Sequence, residues 1–219
     1  MADRSHIEFF FDPICPFAWS TSRWLVDVVP QRDAAITWRF ISLAVVNEGR
    51  DYDADFPPAY PVLHGLGRDL LRVAAAARAA GGNDAVAALY TSAGERVHVG
   101  GVNVDLFRGE PVPDGFVADV VAGAGLDPAL AEAAHDTGRD DVLREETALA
   151  LSRTGPDVGT PILTFDPGTA GEASLFGPVI SRAPKGEAGL ELFDAVVTLA
   201  RTHTFAELKR SLRDPVDFS

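Results

Sequence analysis

The sequence is poor in cysteine and in basic residues, and both shortages narrow what the protein can do. Cys15 is the one cysteine among 219 residues, so no internal disulfide can form. Lys and Arg number 19 against 32 Asp and Glu, which gives a formal net charge of −13. This excess of negative charge argues against binding to nucleic acid or to anionic membranes.

Long apolar runs and metal-binding motifs are also missing. The Ala-rich stretch 70–80 contains Arg72 and Arg78 and is too short to span a bilayer. Residues 1–6 lead into the first predicted strand without the pattern of a secretory signal. The five histidines have no metal-ligand spacing. We therefore expect a soluble, cytoplasmic protein without a metal cofactor.

The order of predicted elements indicates an α/β fold with a helical insertion. Short aromatic and β-branched runs predict strands at 7–11, 36–43, 161–165 and 173–176, the last two as a hairpin. Helical spacing predicts helices at 16–29, 66–80, 84–98, 114–124, 128–135, 139–154, 187–201 and 204–212. The order β-α-β, helical block, β-β-α is typical of a DsbA-like, thioredoxin-like fold. We assign 1–62 and 157–219 to the thioredoxin-like core and 63–156 to the inserted α-helical domain.

Cys15 is the candidate reactive group, because it lies between the first predicted strand and the first predicted helix. Residues 12–16 read Asp-Pro-Ile-Cys-Pro, and Pro16 suits the first helical position, where a backbone N–H would have no partner. Free N–H groups and the helix dipole at such a position favour the thiolate, which is the nucleophilic form of cysteine. The alternative is a small buried hydrophobic residue. The strand-to-helix turn favours the reactive interpretation.

The segment Val-Gly-Thr-Pro at 158–161 is a second signal, directly before a predicted strand. In thioredoxin-like folds the proline at this place is cis and lies beside the thiol, so we predict a cis bond before Pro161. The alternative is a trans proline that opens an edge strand. In the cis form, the backbone N–H and C=O of Thr160 would face an extended thiol ligand, as an added strand does.

Position 18, where a dithiol motif carries its second cysteine, is Ala18. A dithiol enzyme releases its mixed disulfide through attack by that second thiol. This route is closed here. Either an external thiol must release the adduct, or Cys15 works without a disulfide cycle, as in conjugate addition or activation of a bound small thiol.

Motifs from one end of the chain to the other resemble a single family. They are FDPICPFAW at 11–19, TSRW at 21–24, SLAVVNEGRD at 42–51, LYT at 89–91, GERVH at 94–98, DVGTP at 157–161, FGPV at 176–179 and FAELKR at 205–210. Together they resemble the DsbA-type mycothiol-dependent nitroreductases of actinobacteria. The family's active-site pattern is Cys-Pro-Trp-Cys, from which this chain departs at Phe17 and Ala18. The dithiol cycle therefore cannot be carried over, whereas a monothiol cycle through a Cys15–mycothiol mixed disulfide can.

The resemblance implies a homodimer, mycothiol as reductant, and a pocket between the thioredoxin-like core and the helical insertion. It also implies ligand contacts at Asn47, Tyr60 and His98. Each has a structural alternative: a turn cap for Asn47, loop packing for Tyr60, and a helix-end cation for His98. Phe17 keeps an aromatic ring where the family has Trp, so a flat stacking wall beside the thiol can survive.

Three functions fit these residues. The first is a monothiol oxidoreductase, dependent on mycothiol or another small thiol, that uses Cys15 and Pro16 with Thr160 and Pro161. Its substrates would be mixed disulfides or small electrophiles such as nitroaromatics and quinones. The second is a thiol-dependent isomerase or S-transferase acting on a small unsaturated substrate. The third is a redox-inactive binding protein.

Overall fold

Four strands form one sheet in the computed structural model, which describes residues 5–218. The strands are β1 (Ser5–Phe11), β2 (Ala34–Phe40), β3 (Ile162–Phe165) and β4 (Ala173–Phe176), in the spatial order β2-β1-β3-β4. β1 and β3 are antiparallel, with Phe10 opposite Ile162. β3 and β4 are also antiparallel, with Phe165 opposite Ala173. All four strands lie where the sequence predicts them, although β2 begins two residues earlier than predicted and ends three residues earlier.

The helices of the described residues are α1 (Pro16–Val28), α2 (Leu43–Val46), α3 (Tyr52–Asp55), α4 (Tyr60–Gly94), α5 (Val102–Phe107), α6 (Phe116–Gly123), α7 (Asp140–Thr154) and α8 (Gly186–Arg201). Tighter 3₁₀ turns occupy Val29–Arg32, Pro128–His135 and Thr137–Arg139, and a π-helical turn covers Glu95–Val99. None of these helices combines the length and apolar character needed to cross a membrane, as far as residues 5–218 extend.

One prediction for a helix is wrong. The helices predicted at 66–80 and 84–98 are present as the two halves of α4, which meet at a kink where Gly82 takes the non-helical angles φ 69° and ψ −155°. The first half begins at Tyr60, earlier than predicted. The helix predicted at 204–212 does not form. Residues 202–218 follow α8 without helical structure, and Leu208 and Leu212 are 85% and 93% exposed. Their spacing suits a helix, but no apolar surface covers them, and helices in proteins depend mainly on such packing.

The described residues divide into two compact units. The sheet unit comprises residues 5–11, 15–39 and 150–218. Its core contains β1, whose Phe9, Phe10 and Phe11 are fully buried. Phe193 of α8 packs against Trp24 of α1, with ring centroids 6.1 Å apart. The Trp24 indole N–H donates to the carbonyl of Gly189 at 2.9 Å, so a buried polar group ties α1 to the start of α8.

The helical unit comprises residues 12–14 and 40–149. Arg72 of α4 is buried, and its guanidinium binds the Asp140 carboxylate at 2.6 and 2.7 Å and the Ala134 carbonyl at 3.0 Å. Glu146 of α7 accepts from the Phe40 backbone N–H at 2.8 Å and from Arg78 at 2.7 Å. These buried charges are paired, as buried charges in stable proteins are.

Candidate functional site

The sulfur of Cys15 caps the N-terminus of α1. Cys15 has extended backbone angles, and Pro16 occupies the first helical position. The Ala18 backbone N–H points at the Cys15 Sγ at 3.5 Å, so the sulfur takes one of the donors that a helix start leaves unpaired. The Cys15 side chain is 7% exposed. A thiolate at this place would be stabilised by the helix start and opposed by burial.

Thr160 makes a second contact with the Cys15 sulfur, through its backbone carbonyl. The Thr160–Pro161 peptide bond is cis, as predicted. The Cys15 thiol donates to the Thr160 carbonyl at 3.5 Å, and the Thr160 hydroxyl donates to the Phe10 carbonyl of β1 at 3.0 Å. Because a carbonyl can only accept, the contact describes the protonated thiol. Ionisation of Cys15 would release this carbonyl, which could then accept a hydrogen bond from an extended ligand.

Phe17, the second residue of α1, is half-buried, and the guanidinium of Arg213 lies over its ring. The distance from Arg213 Cζ to the ring centroid is 5.5 Å. Cation–π attraction operates at this distance. The spacing at 204–212 predicts a helix and does not relate Arg213 to the thiol, so Arg213 is not among the predicted site residues. A signal was present: Lys209, Arg210 and Arg213 form a basic cluster in an otherwise acidic chain.

A buried carboxylate in the segment 12–14 was also missed. Asp12 is fully buried, and its two oxygens accept from the backbone N–H groups of Leu43 at 2.7 Å and Ile14 at 3.2 Å. Burial raises the pKa of Asp12 to about 7, although both hydrogen bonds act in the opposite direction. Gly67 of α4 leaves room for this carboxylate, since a Cβ there would lie 2.5 Å from Asp12 Oδ1.

His98 lies in the π-helical turn after α4 and is buried. Its Nε2 is 2.9 Å from the carbonyl of Pro13, two residues before Cys15 in the chain. Because that carbonyl can only accept, Nε2 carries the proton. Burial lowers the pKa of His98 to about 4, so the ring is neutral at neutral pH. A helix-end cation, the structural alternative for His98, does not fit this neutral ring.

Asn47 and Tyr60 have contacts of the kind that their structural alternatives describe. Asn47 ends α2, and its side-chain N–H donates to the Leu43 carbonyl at 2.8 Å. Tyr60 begins α4 and stacks on Phe56, with ring centroids 5.3 Å apart. Its ring also meets His64 edge-on, with centroids 5.3 Å apart.

The predicted site residues therefore fall into two groups. Within the sheet unit, the structure brings together the sulfur of Cys15, the start of α1 at Pro16 and Phe17, and the Thr160–Pro161 segment. Within the helical unit, Asn47, Tyr60 and His98 each have separate neighbours. A cavity of about 340 Å³ beside β4 is lined by residues such as Arg153, Glu172, Ser174 and His203, and by none of the predicted site residues.

No cluster of three or more metal-ligating side chains occurs within residues 5–218.

A four-stranded sheet with a helical unit inserted between β2 and β3, and a cysteine at the start of α1, defines the class of DsbA-like, thioredoxin-fold proteins. Two examples from the solved structures that share this fold are as follows. One is the probable DsbA oxidoreductase SCO1869 from Streptomyces coelicolor, with a TM-score of 0.57 and 16% identity, covering 96% of this chain and 94% of that one. The other is DsbA2 of Pseudomonas aeruginosa, with a TM-score of 0.51 and 22% identity, covering 91% and 90%.

The chain belongs to the Rv2466c-like family, described as mycothiol-dependent nitroreductase Rv2466c, whose model matches residues 14–210. It is also 31% identical over 215 residues to the uncharacterised protein Rv2286c of Mycobacterium tuberculosis, covering 96% of this chain and 84% of that protein. The predicted family and the predicted fold class are therefore confirmed. The matched range includes Cys15, Thr160 and Pro161.

Proposed function

We propose that this protein is a monothiol oxidoreductase that uses Cys15 as its nucleophile and mycothiol, or another small thiol, as its reductant. The observation that carries the proposal is the position of the Cys15 sulfur at the start of α1, where the Ala18 N–H points at it. Backbone donors at a helix start stabilise a thiolate relative to a thiol. Membership of a family named for mycothiol-dependent reduction supports the choice of reductant.

The proposed cycle has two thiol–disulfide exchanges. The Cys15 thiolate attacks one sulfur of a mixed disulfide, a Cys15–S–S–R bond forms, and the other thiolate leaves and takes up a proton. A molecule of the small thiol, as its thiolate, then attacks the R sulfur of this adduct. The small thiol leaves as a disulfide with R, and the Cys15 thiolate is regenerated. Over the whole cycle one partner of the substrate disulfide is released as a free thiol, and R passes to a new disulfide with the small thiol, so one thiol and one disulfide enter and one of each leaves.

Small electrophiles such as quinones and nitroaromatics are the second proposed substrate class. With a quinone, the Cys15 sulfur adds to the ring, and attack of a small thiol on that sulfur releases the hydroquinone. A second small thiol then frees Cys15 as described above. One quinone is reduced by two electrons, and two thiols become one disulfide. Ala18 leaves the external thiol as the group that releases either adduct.

The remaining parts of the proposal concern where and with what the protein works. We propose that Phe17, Asn47, Tyr60, His98, Thr160 and Pro161 bind the thiol or the substrate, that the protein is a homodimer, and that it acts in the cytoplasm. Family membership supports these points by likeness. Sedimentation velocity of the full chain measures the oligomeric state directly, and a monomer at micromolar concentration would count against the dimer.

The test is adduct formation followed by release. Protein is incubated with the disulfide of a mycothiol analogue and analysed as intact mass. We expect one adduct, located on Cys15 by peptide mapping, that a second portion of free thiol removes. Cys15→Ser is the control and should give no adduct. Full turnover of a disulfide or quinone by Cys15→Ser would refute the proposal, as would release of product without formation of a disulfide from the small thiol.

A further inference from the structure

The C-terminal tail, residues 202–218, crosses back to the loop that follows β4. The Ser181 hydroxyl donates to the Asp214 carbonyl at 3.0 Å, and the Asp217 backbone N–H donates to the Ser181 carbonyl at 2.7 Å. The Arg182 guanidinium forms an ion pair with the Asp217 carboxylate, with Nε 2.8 Å from Oδ2. Two backbone contacts and an ion pair at one place fix the course of the tail.

The loop that holds the tail is itself attached to α1. The Thr21 hydroxyl donates to the Pro178 carbonyl at 2.8 Å. Thr21 is four residues beyond Phe17, so both side chains lie on the same face of α1. Within the sheet unit, these contacts link α1 to the loop and the loop to the tail. Arg213 then links the tail back to α1 at the Phe17 ring.

Arg213 brings a positive charge to this place. Its guanidinium lies over the Phe17 ring and donates to the Arg210 carbonyl at 3.4 Å. The salt bridges found within residues 5–218 do not include Arg213. The side chain is exposed, and Lys209 and Arg210 precede it closely. In a chain of net charge −13, a local cationic group changes which charged ligands can approach.

We propose that Arg213 determines specificity by selecting thiol-reactive substrates that carry an acidic group. Phe17 follows Cys15 by two residues at the start of α1, and the guanidinium over its ring offers a charged partner for a carboxylate, sulfonate or phosphate. The ligand class is therefore a small disulfide or a flat electrophile with an anionic substituent. The inference rests on the proposed function in one respect, that Cys15 is the reacting atom.

The test uses two reagents that differ by one charge. Iodoacetate and iodoacetamide both alkylate a thiolate with loss of iodide, and they are nearly equal in size. The rate constants at Cys15 are measured by intact mass for the wild type, Arg213→Gln and Arg210→Gln. We expect Arg213→Gln to lower the ratio of the iodoacetate rate to the iodoacetamide rate about three- to fivefold, the size of one partly screened charge contact. Arg210→Gln removes the same charge elsewhere in the tail and should change this ratio less than half as much.

A second variant and a salt series separate the contact from bulk charge. Arg182→Gln breaks the ion pair that holds the tail, so it should lower the same ratio although Arg213 remains. In about 1 M salt, where screening acts within about 3 Å, the difference between the wild type and Arg213→Gln should vanish.

An unchanged ratio in Arg213→Gln, with iodoacetamide still reacting at Cys15, would overturn this inference and leave the proposed function standing. An equal fall in Arg210→Gln would also overturn it. If Cys15 reacts with neither reagent in the folded protein, the proposed function fails, and this inference fails with it.

Discussion

The buried Asp12 carboxylate lowers the stability of the folded protein by an amount that depends on pH. Its carboxylate is fully buried and accepts two backbone N–H bonds, from Leu43 and Ile14. The hydrogen bonds hold segment 12–14 in place, while burial disfavours the charge that makes those bonds strong. The pKa of about 7 means that this balance changes close to neutral pH.

We expect Asp12 to make the protein less stable as pH rises from 4 to 7. Its folded pKa, about 7, lies above its ordinary value of 3.8. The folded state therefore holds the proton more tightly between these values, and the free energy of unfolding falls across that window by up to about 4 kcal/mol. Above pH 7 both states are ionised and the loss is complete.

Urea unfolding of the wild type and Asp12→Asn from pH 4 to pH 8 tests this pH dependence. The variant has no titrating group at position 12, so its free energy of unfolding should fall less steeply with pH. At pH 5 it should be the less stable protein, because an amide nitrogen faces one of the two backbone donors. Asp84→Asn, an exposed site on α4, is the control and should follow the wild type. Equal slopes in wild type and Asp12→Asn would contradict the assignment.

Ala18 is the second residue for which we predict the effect of a substitution, here on the lifetime of a Cys15 mixed disulfide. Its methyl group is buried and its N–H points at the Cys15 sulfur, so a thiol at this position would lie within reach of an adduct on Cys15. In Ala18→Cys, we expect a Cys15 mixed disulfide to break down about tenfold faster or more without added thiol, because the attack is intramolecular. Mass spectrometry should show that the adduct loses the small thiol and leaves a protein two hydrogens lighter than its reduced form.

Ala18→Ser is the matched control for this variant, since it adds an atom of similar size without a thiol. Its adduct should persist as long as that of the wild type. A persistent adduct in Ala18→Cys, with both cysteines reduced at the start, would be evidence against the geometry described for the start of α1.

At the scale of elements, two of the glycines in α4 differ in the space available for a side chain. A Cβ on Gly67 would lie 2.5 Å from Asp12 Oδ1 and 2.9 Å from Ile14 Cγ1, whereas a Cβ on Gly65 would have nothing within 4 Å. We expect Gly67→Ala to destabilise the protein by about 1–3 kcal/mol through overpacking. Gly65→Ala should stabilise it by about 0.5–1 kcal/mol, since alanine favours a helix.

Chemical denaturation of both glycine variants at one pH measures these changes in the free energy of unfolding. The comparison holds the substitution and the helix constant and varies only what the new methyl group meets. Equal effects of the two substitutions would mean that Asp12 does not pack against α4 as described.

The tail after α8 supplies a prediction at the same scale. Leu208 and Leu212 are 85% and 93% exposed, so Leu208→Ser should change the free energy of unfolding by less than about 0.5 kcal/mol. Phe193→Ala in α8 is the contrast, because that buried ring packs on Trp24 and Phe165, and its loss should cost about 3–5 kcal/mol. Thermal and urea unfolding measure both. A large loss in Leu208→Ser would favour a packed helix at 204–212.

The sequence predicted those elements whose signal is local. β1 is a run of aromatic residues, α1 has proline at its first position, and β3 with β4 has a Pro-Gly turn between them, so each was placed within a few residues. The helix at 204–212 was wrong because Leu208 and Leu212 have helical spacing without a surface to cover them. Spacing alone cannot report that surface, since it belongs to residues distant in sequence.

Over the whole molecule, the parts of the candidate site that could not be predicted are those formed by distant contacts. The order of the elements predicted that the Thr160 backbone lies beside Cys15, and the Cys15 sulfur does contact the Thr160 carbonyl. The site of Asp12 is built by Leu43 and Gly67, and the place of Arg213 is set by Asp214 and Asp217 against the loop at 181–182. Neither arrangement leaves a periodic pattern in the sequence.

The alanine at position 18 also determines how the oxidised fraction of the whole protein responds to dilution of the surrounding thiols and disulfides. With one thiol, exchange with a small disulfide consumes one disulfide and releases one thiol. The oxidised fraction of the protein therefore depends on the ratio of disulfide to thiol and is independent of their total concentration. A dithiol protein releases two thiols per internal disulfide, so dilution at a fixed ratio drives it toward oxidation.

Tenfold dilution of a fixed redox buffer should thus leave the fraction of Cys15 in mixed disulfide unchanged in the wild type. In Ala18→Cys the ratio of oxidised to reduced protein should rise about tenfold under the same dilution. Acid quenching and intact-mass analysis measure both fractions. The chain with Ala18 has no midpoint potential of its own, and the composition of the surrounding thiol pool sets its oxidation state.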